Sequence, residues 1–125
     1  LQVLIAAVAR IVDTAYQVFD RQDLNLTRDV EPLEEIVDEL SKELKRRHVN
    51  RLRSGECTIE MGFILTDLLT SLERIADHCS NISVCITQVR ENLYDTHSHL
   101  ENMKNEPDDS YFARLEELQK EYVLP

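Results

Sequence analysis

Two pairs of acidic residues share the spacing Glu-x-x-x-Asp: Glu34 with Asp38, and Glu73 with Asp77. Residues four apart lie on one face of a helix, so each pair would present two carboxylates side by side. Like charges at this spacing repel by roughly a few tenths of a kcal/mol in water, and a bound cation reverses the sign. Two facing pairs would offer oxygen ligands, which suit iron, manganese, magnesium or calcium, and which zinc also accepts. From the spacing alone, a solvated acidic helix face is favoured over a metal site.

Other residue types that carry chemistry do not form a recognisable catalytic pattern. None of the four histidines follows a glutamate by three residues, as a ferritin-type di-iron bundle would require. Neighbouring residues in a helix point about 100° apart, so His78 and Cys79 cannot work together as base and nucleophile. The sequence therefore predicts no enzyme activity.

The histidines and cysteines have simpler interpretations. His48 lies on an apolar stripe and is predicted to be a core residue, whereas His78 either flanks Asp77 as an auxiliary ligand or faces solvent. The HSH of residues 97–99 is interpreted as part of a polar loop. Three cysteines without a CxxC pair or a Cys/His cluster indicate neither a disulfide framework nor a zinc finger, and favour a reducing compartment.

The composition limits the classes of partner. The chain has 125 residues, enough for one domain with a real core. Its net charge of −10 disfavours nucleic acid and anionic lipid and favours cationic or metal partners. The basic run KRRHVNRLR (45–53) is interpreted first as complementing the negative end of a helix, and second as a surface for phosphate or a membrane.

Only two glycines and three prolines interrupt the chain, so it is predicted to be all-α. The first helix should end near Arg21, and a second should start with Thr27 or Asp29 as its cap, with Pro32 in its first turn. The second helix should end near Ser54. The predicted buried stripes of these two helices are Leu4, Val8, Ile11, Ala15, Val18 and Phe19, and then Val30, Leu33, Val37, Leu40, Leu44 and His48. Glu34 and Asp38 should lie on the shoulder of the second stripe.

A third helix of about thirty residues is predicted to be the longest element. A short fourth helix should follow the polar stretch DTHSHLENMKNEPDDS, which makes the fold an antiparallel three-helix bundle with an additional C-terminal helix. The predicted stripes are Ile64, Leu68, Ile75, Cys79, Ile82, Ile86, Val89 and Leu93 on the third helix, and Tyr111, Leu115, Leu118 and Tyr122 on the fourth. The apolar face of the third helix is predicted to be wider than one stripe, as expected of a helix that contacts two neighbours, and the additional residues are Leu65, Leu69, Leu72 and Ala76. Glu73 and Asp77 should lie on the edge of this helix, away from the centre of the stripe.

The N-terminal run LQVLIAAVARIV is predicted to belong to a soluble domain. Gln2 and Arg10 interrupt it, and it is short against the roughly 20 residues that cross a bilayer. It also lacks the charged start and the cleavage site of a signal peptide. Because the sequence starts without Met, we expect it to be a piece of a longer protein.

LEEIVDEL (33–40) and LERIADHCSNI (72–82), in this order on successive helices, resemble the paired signatures of PhoU proteins, which regulate phosphate uptake in bacteria. The resemblance covers roughly residues 3–95. The chain departs from the family at Ala76, where PhoU proteins often have glycine, and alanine keeps this position small. The resemblance implies a PhoU-type three-helix bundle.

The resemblance also implies a site. PhoU bundles can hold multinuclear iron or zinc on their surface, so an iron or zinc cluster is the expected cofactor. Asp67 and Asn81 are weaker candidates near the third helix's pair. The implied metal ligands are Glu34, Asp38, Glu73 and Asp77.

A full PhoU protein carries two bundles, and this chain has residues for one. The resemblance therefore implies a single PhoU-like domain over residues 1–125, with a core of about 3–95 and a C-terminal extension of 96–125. The stretch from KRRHVNRLR to SNISVCI (45–86) is similar to the cytoplasmic C-terminal region of bacterial sodium/phosphate cotransporters.

This similarity implies a regulatory domain at the cytoplasmic face of the bacterial inner membrane, as a soluble part of a membrane protein. Its implied partners are the membrane-embedded portion of the same chain and a second copy in a homodimer. The alternative is a metal-free helical module for protein interaction or dimerisation. The sequence leaves open whether phosphate binds.

Overall fold

The computed structural model describes residues 1–91 and 109–125. Within these residues it contains four helices and no strand: α1 (Gln2–Arg21), α2 (Leu24–Arg53), α3 (Ile59–Glu91) and α4 (Asp109–Glu121). The three long helices all pack against one another, and α4 packs on α2. The prediction of an all-α, antiparallel three-helix bundle with a short additional C-terminal helix is confirmed. The HSH at residues 97–99 lies outside the described residues.

Helix α1 buries one continuous stripe, because its apolar residues recur at intervals of three and four. The prediction for this stripe is correct except at Phe19, whose side chain is 62% exposed. The helix ends at Arg21, and the next residue, Gln22, adopts a left-handed conformation with φ of 50° and turns the chain toward α2. The buried residues are Leu4, Ala7, Val8, Ile11, Ala15 and Val18.

Helix α2 starts earlier than predicted, at Leu24. Its cap is Asp23, whose carboxylate accepts a hydrogen bond from the Asn25 N–H at 2.9 Å. Thr27 is not the cap, and its hydroxyl donates to the Leu24 carbonyl inside the helix at 2.6 Å. The predicted place of Pro32 in the first turn is therefore also wrong, since Pro32 is buried well inside α2. A side-chain carboxylate that accepts a hydrogen bond from a free N–H of the first turn caps the start of a helix. In α2 this cap is Asp23, one turn before Thr27.

Only one flank of the broad apolar face predicted for α3 lies in the core: Leu69 and Ala76 are buried, whereas most of the predicted central stripe is not. Ile64, Leu68, Ile75, Ile82 and Val89 are all exposed, although Cys79 is buried as expected. Most of the residues that face the core instead lie one position further along the chain. They are Leu69, Ala76, Ser80, Ser83, Val84 and Gln88.

The buried face of α3 differs from the exposed one in the size of its side chains. Ala76, Ser80 and Ser83 are small, so they allow close approach of the neighbouring helices. Ser80 also donates a buried hydrogen bond to the Glu31 carboxylate of α2. Two stripes run side by side on α3, one of large apolar residues and one of smaller residues, and the packing against α1 and α2 decides which one is buried.

Helix α4 adds to the same hydrophobic core. Leu118 is fully buried within the cluster formed by α1, α2 and α3, and Leu115 and Tyr122 pack against that cluster. Two ion pairs of 2.7 Å also hold the helix, one near its middle and one at its last residue. They join Arg10 to Glu121 and Arg114 to Asp29.

Helix α1 is long and apolar enough to cross a membrane by length and composition alone, the one such helix among the described residues. The core helix of a soluble protein meets the same description, so length and composition do not by themselves identify α1 as a membrane span. In the structure, α1 uses its apolar residues to pack against α2 and α3.

Candidate functional site

The first acidic pair lies on α2, at the edge of the core. Glu34 is buried and Asp38 is partly exposed, as expected for two residues on the shoulder of a buried stripe. Lys42, one turn after Asp38, approaches its carboxylate at 3.8 Å. This pair is therefore less accessible than its spacing suggests, because the bundle covers the glutamate.

The second acidic pair lies on α3. Glu73 is partly buried, and Asp77 is exposed. The ammonium group of Lys45, from α2, donates to Glu73 Oε1 at 2.8 Å. Two neighbouring carboxylates favour a positive charge beside them, and here Lys45 supplies it. The contact also shows that Glu73 lies on the side of α3 that adjoins α2.

The four predicted ligands do not form one donor group in this structure. Among the described residues, no three His, Cys, Asp or Glu side chains lie close enough together to hold a metal ion. The weaker candidates Asp67 and Asn81 are exposed, as is His78. An iron or zinc site at Glu34, Asp38, Glu73 and Asp77 stays a prediction, and the lysine beside Glu73 shows what such a site would have to displace.

The basic run at the end of α2 is largely occupied by local ion pairs. Arg46 and Arg47 both donate to Glu43, at 2.6 Å and 2.8 Å, and hydrogen bonds from these guanidinium groups lower the pKa of Glu43 to about 2. Arg47 also donates to the main-chain oxygen of Pro125. Arg51 and Arg53 are exposed in the last turn of the helix, where positive charge complements the helix dipole.

An exposed apolar stripe runs along α1 in addition to its buried one. Its residues alternate in steps of four and three, which is the spacing of a helix that packs along another helix. Each follows the buried stripe by about one position, so the exposed stripe lies about 100° further round the helix. The residues are Ile5, Ala9, Val12, Tyr16 and Phe19, all of them exposed.

Helix α3 carries a second exposed stripe, with one large apolar residue in every seven. These residues are Met61, Leu68, Ile75, Ile82 and Val89, with Ile64 beside them. On α3 the exposed stripe precedes its buried partner, since Leu68, Ile75 and Ile82 come one position before the buried Leu69, Ala76 and Ser83.

The two stripes lie on the same side of the bundle. Short connections make α1 and α3 each antiparallel to α2, so α1 and α3 run parallel, and they pack directly against each other. Contacts with α2 show which way each stripe faces. On α3, Glu73 and Ser80 contact α2, and they lie on the flank of the core face opposite the exposed stripe. On α1, Arg10 contacts Glu121 of α4, which packs on α2, and Arg10 lies on the flank opposite the exposed stripe of α1. Both exposed stripes therefore face away from α2, on one side of the bundle. We call this surface, made of the two stripes just described, the α1/α3 apolar face. Large exposed apolar patches of this kind mark contact sites for other molecules.

A further constellation, which the sequence interpretation missed, joins α2 to the turn before α3. His48 is buried, as predicted, and its Nδ1 lies 3.4 Å from the Sγ of Cys57. The two residues are nine positions apart on either side of a turn. From the sequence, only the neighbouring His78 and Cys79 could be considered as a pair, because helical periodicity relates residues within one helix and says nothing about contacts across a turn.

Among the described residues, the bundle has an exposed apolar face and no group of side chains placed to bind a metal ion. These features define a class of helical domains that can bind other proteins. Comparison with known families is more specific. Residues 1–86 match the family model described as PhoU domain. The chain belongs to the PhoU domain family.

A curated relative agrees with this assignment. The chain is 26% identical over 82 residues, 66% of its length, to a protein of Thermotoga maritima (strain ATCC 43589 / DSM 3109 / JCM 10099 / NBRC 100826 / MSB8) named phosphate-specific transport system accessory protein PhoU homolog 1. The match covers 35% of that relative, so the chain spans about a third of its length. No solved structure matches the chain.

Proposed function

We propose that this chain is a regulatory domain in phosphate transport or phosphate homeostasis, and that it acts by contact with a partner protein rather than as an enzyme. The family assignment and the relative's name support the phosphate context. The α1/α3 apolar face is the observation that supports action by contact.

The proposed partner is the membrane-embedded portion of a sodium/phosphate cotransporter to which the domain is attached on the cytoplasmic side. A lipid surface is a poorer partner, since the net charge of −10 is repelled by anionic headgroups. A protein surface can cover an apolar face without that repulsion. A homodimer through the same face is the alternative, and it would make the domain a dimerisation module.

The proposal is tested by placing a charge on the face in the full-length protein. Val12→Asp and Ile75→Asp each put a carboxylate on one of the two exposed stripes, at side chains that are 44% and 40% exposed. We expect both variants to change sodium-dependent phosphate uptake by cells, with unchanged circular dichroism. Phe112→Asp on α4, at a side chain that is 55% exposed, is the matched control and should leave uptake unchanged.

Unaltered uptake in both folded face variants would refute action through this face. If sedimentation instead shows that the wild-type domain is a dimer and that the two variants are monomers, with uptake unaltered, the dimerisation alternative is correct.

Metal binding at the acidic pairs is a second proposal. It rests on the resemblance and on the position of Lys45, whose contact with Glu73 shows that this edge of α3 attracts positive charge. The described side chains are not gathered for a metal, so binding would require Lys45 to leave Glu73.

The test is elemental analysis of protein purified without chelators or affinity-tag metals, beside a Glu73→Ala and Asp77→Ala double variant. Stoichiometric iron or zinc in the parent and none in the folded variant would support the proposal. No metal in either protein after reconstitution would refute metal binding. Glu73 and Asp77 would then be solvated acidic residues, with Lys45 balancing the charge of Glu73.

A further inference from the structure

We propose that Cys57 is a reactive thiol, a site at which a hydroperoxide oxidises the chain, with His48 as the group that accepts the thiol proton. Three features at the junction of α2 and α3 support this site: the imidazole contact, the way the ring is held, and the start of a helix. None of them depends on the acidic pairs or on the apolar face.

The imidazole contact provides the base. Nδ1 of His48 lies 3.4 Å from Cys57 Sγ, which is within hydrogen-bond distance for sulfur. In the tautomer with its proton on Nε2, Nδ1 accepts the S–H proton and leaves the thiolate, which is the nucleophilic form of cysteine. A nucleophile within reach of a fixed base is the arrangement by which proteins activate a thiol.

The ring is buried and held in place. His48 is only 7% exposed, and its Nε2 has no hydrogen-bond partner among the described residues. A Cβ atom added to Gly62 would lie 2.6 Å from that nitrogen, so the ring fills the space that the missing side chain leaves on α3. The thiol is the one hydrogen-bonding group found at the imidazole in this part of the structure, and the packing against Gly62 keeps Nδ1 directed at it.

The start of α3 provides a favourable potential. Cys57 precedes the first residue of α3 by two positions, and the Thr58 hydroxyl accepts the Met61 N–H at 3.3 Å as a helix cap does. Helix starts carry partial positive charge, which stabilises a thiolate. Glu56, the adjacent acid, opposes this effect, and its carboxylate accepts a hydrogen bond from Ser54.

The proposed reaction balances without another reactant. The sulfur of Cys57 attacks one oxygen of hydrogen peroxide, the O–O bond breaks, and an S–O bond forms. The sulfur loses two electrons and becomes a sulfenic acid, while the peroxide is reduced. The proton held by His48 passes to the leaving hydroxide, so thiol and peroxide give sulfenic acid and water. Cys57 is partly exposed, which suits an oxidant as small as a peroxide.

The other two cysteines are controls within the same molecule. Cys85 is exposed, so it reports the reaction of an accessible thiol on α3. Cys79 is buried, and burial raises the pKa of its thiol, which makes it a poor nucleophile. If access alone decided the reaction, Cys85 would be oxidised before Cys57.

The experiment treats the full chain with limiting hydrogen peroxide, traps sulfenic acid with a cyclic dione, and measures the label at each cysteine by mass spectrometry. We expect Cys57 to be labelled at least about tenfold faster than Cys85, since a positioned base and a helix start both favour the thiolate. His48→Gln should bring the rate at Cys57 down to that at Cys85.

Gly62→Ala is the second variant, because it displaces the ring without changing either partner, and it should slow Cys57 as well. The comparison within the wild-type chain needs no variant, so it stands even if a substitution prevents folding. A rate at Cys57 less than about tenfold above that at Cys85 would overturn the proposal. So would a fast Cys57 that neither folded variant slows.

Discussion

Replacing Leu118 by alanine should destabilise the whole bundle, although the residue lies on a short helix far along the chain. Among the described residues of α4, only Leu118 is buried, and it is fully enclosed by the cluster of α1, α2 and α3. Burying a leucine side chain contributes about 1.5–3 kcal/mol, and the cavity left by truncation adds to the loss. Core replacements of this kind cost about 2–5 kcal/mol, and we expect about 3 kcal/mol here.

The ion pairs of α4 cannot compensate for this loss. The pairs Arg10 with Glu121 and Arg114 with Asp29 are partly exposed, and such pairs contribute about 1 kcal/mol or less each. Without Leu118, α4 would keep, besides these ion pairs, the partly buried contacts of Leu115 and the surface hydrogen bonds of Gln119 to Glu39 on α2. The variant should therefore unfold at a lower urea concentration, or lose α4 before the rest.

The assay is urea unfolding followed by circular dichroism, with the free energy of unfolding extrapolated to water. The control is Phe112→Ala on the same helix, whose side chain is 55% exposed and whose loss should change stability by less than about 1 kcal/mol. A loss below about 1 kcal/mol for Leu118→Ala would show that α4 is an appendage and refute the argument.

Two further predictions concern polar groups on α2 and its neighbours. Ser80→Ala removes the buried donor to Glu31 and should lower the free energy of unfolding by about 1–3 kcal/mol, measured by urea unfolding; an unchanged midpoint would contradict it. Burial, and then the negative charge of Glu35 and other α2 carboxylates, raise the pKa of Tyr111 to about 12 from 10.0. The unfolded chain therefore loses this proton first, and the stabilisation present below pH 10 should decline as the pH rises toward 12. Unfolding measured across this range should show a weaker alkaline decline in Tyr111→Phe, and equal declines in the two proteins would count against the argument.

Much of the fold could be predicted from the periodicity of apolar residues and from the residues that start and end helices. The apolar stripe from Leu4 to Val18 predicted α1 correctly, and the end of the helical pattern near Ser54 predicted the end of α2. Both succeed because helical periodicity and helix-ending residues are local properties of the sequence. The start of α2 could not be read in the same way. Asp23, Thr27 and Asp29 are all capable caps, and which of them accepts a free N–H depends on how the preceding turn directs the chain.

The candidate site was only partly predictable. Placing residues around each helix in turn put Glu34 on the shoulder of a core stripe and Asp77 on an exposed edge, as the structure has them. The same procedure could not place Lys45 at Glu73, since that contact depends on the register between two helices. It also missed Cys57 beside His48, a contact that the turn between α2 and α3 creates.

The sequence by itself determined which segments are helical, and that α3 has more apolar surface than one neighbour can cover. Only the tertiary structure decided that Leu69 and Ala76 face the core while Leu68 and Ile75 face solvent. The physical reason is that helix formation depends on residues within a few positions of each other, whereas burial depends on the fit among three helices at once. At Ala76 and Ser80 that fit favours small side chains that let the helices approach closely, over larger apolar ones that would hold them apart.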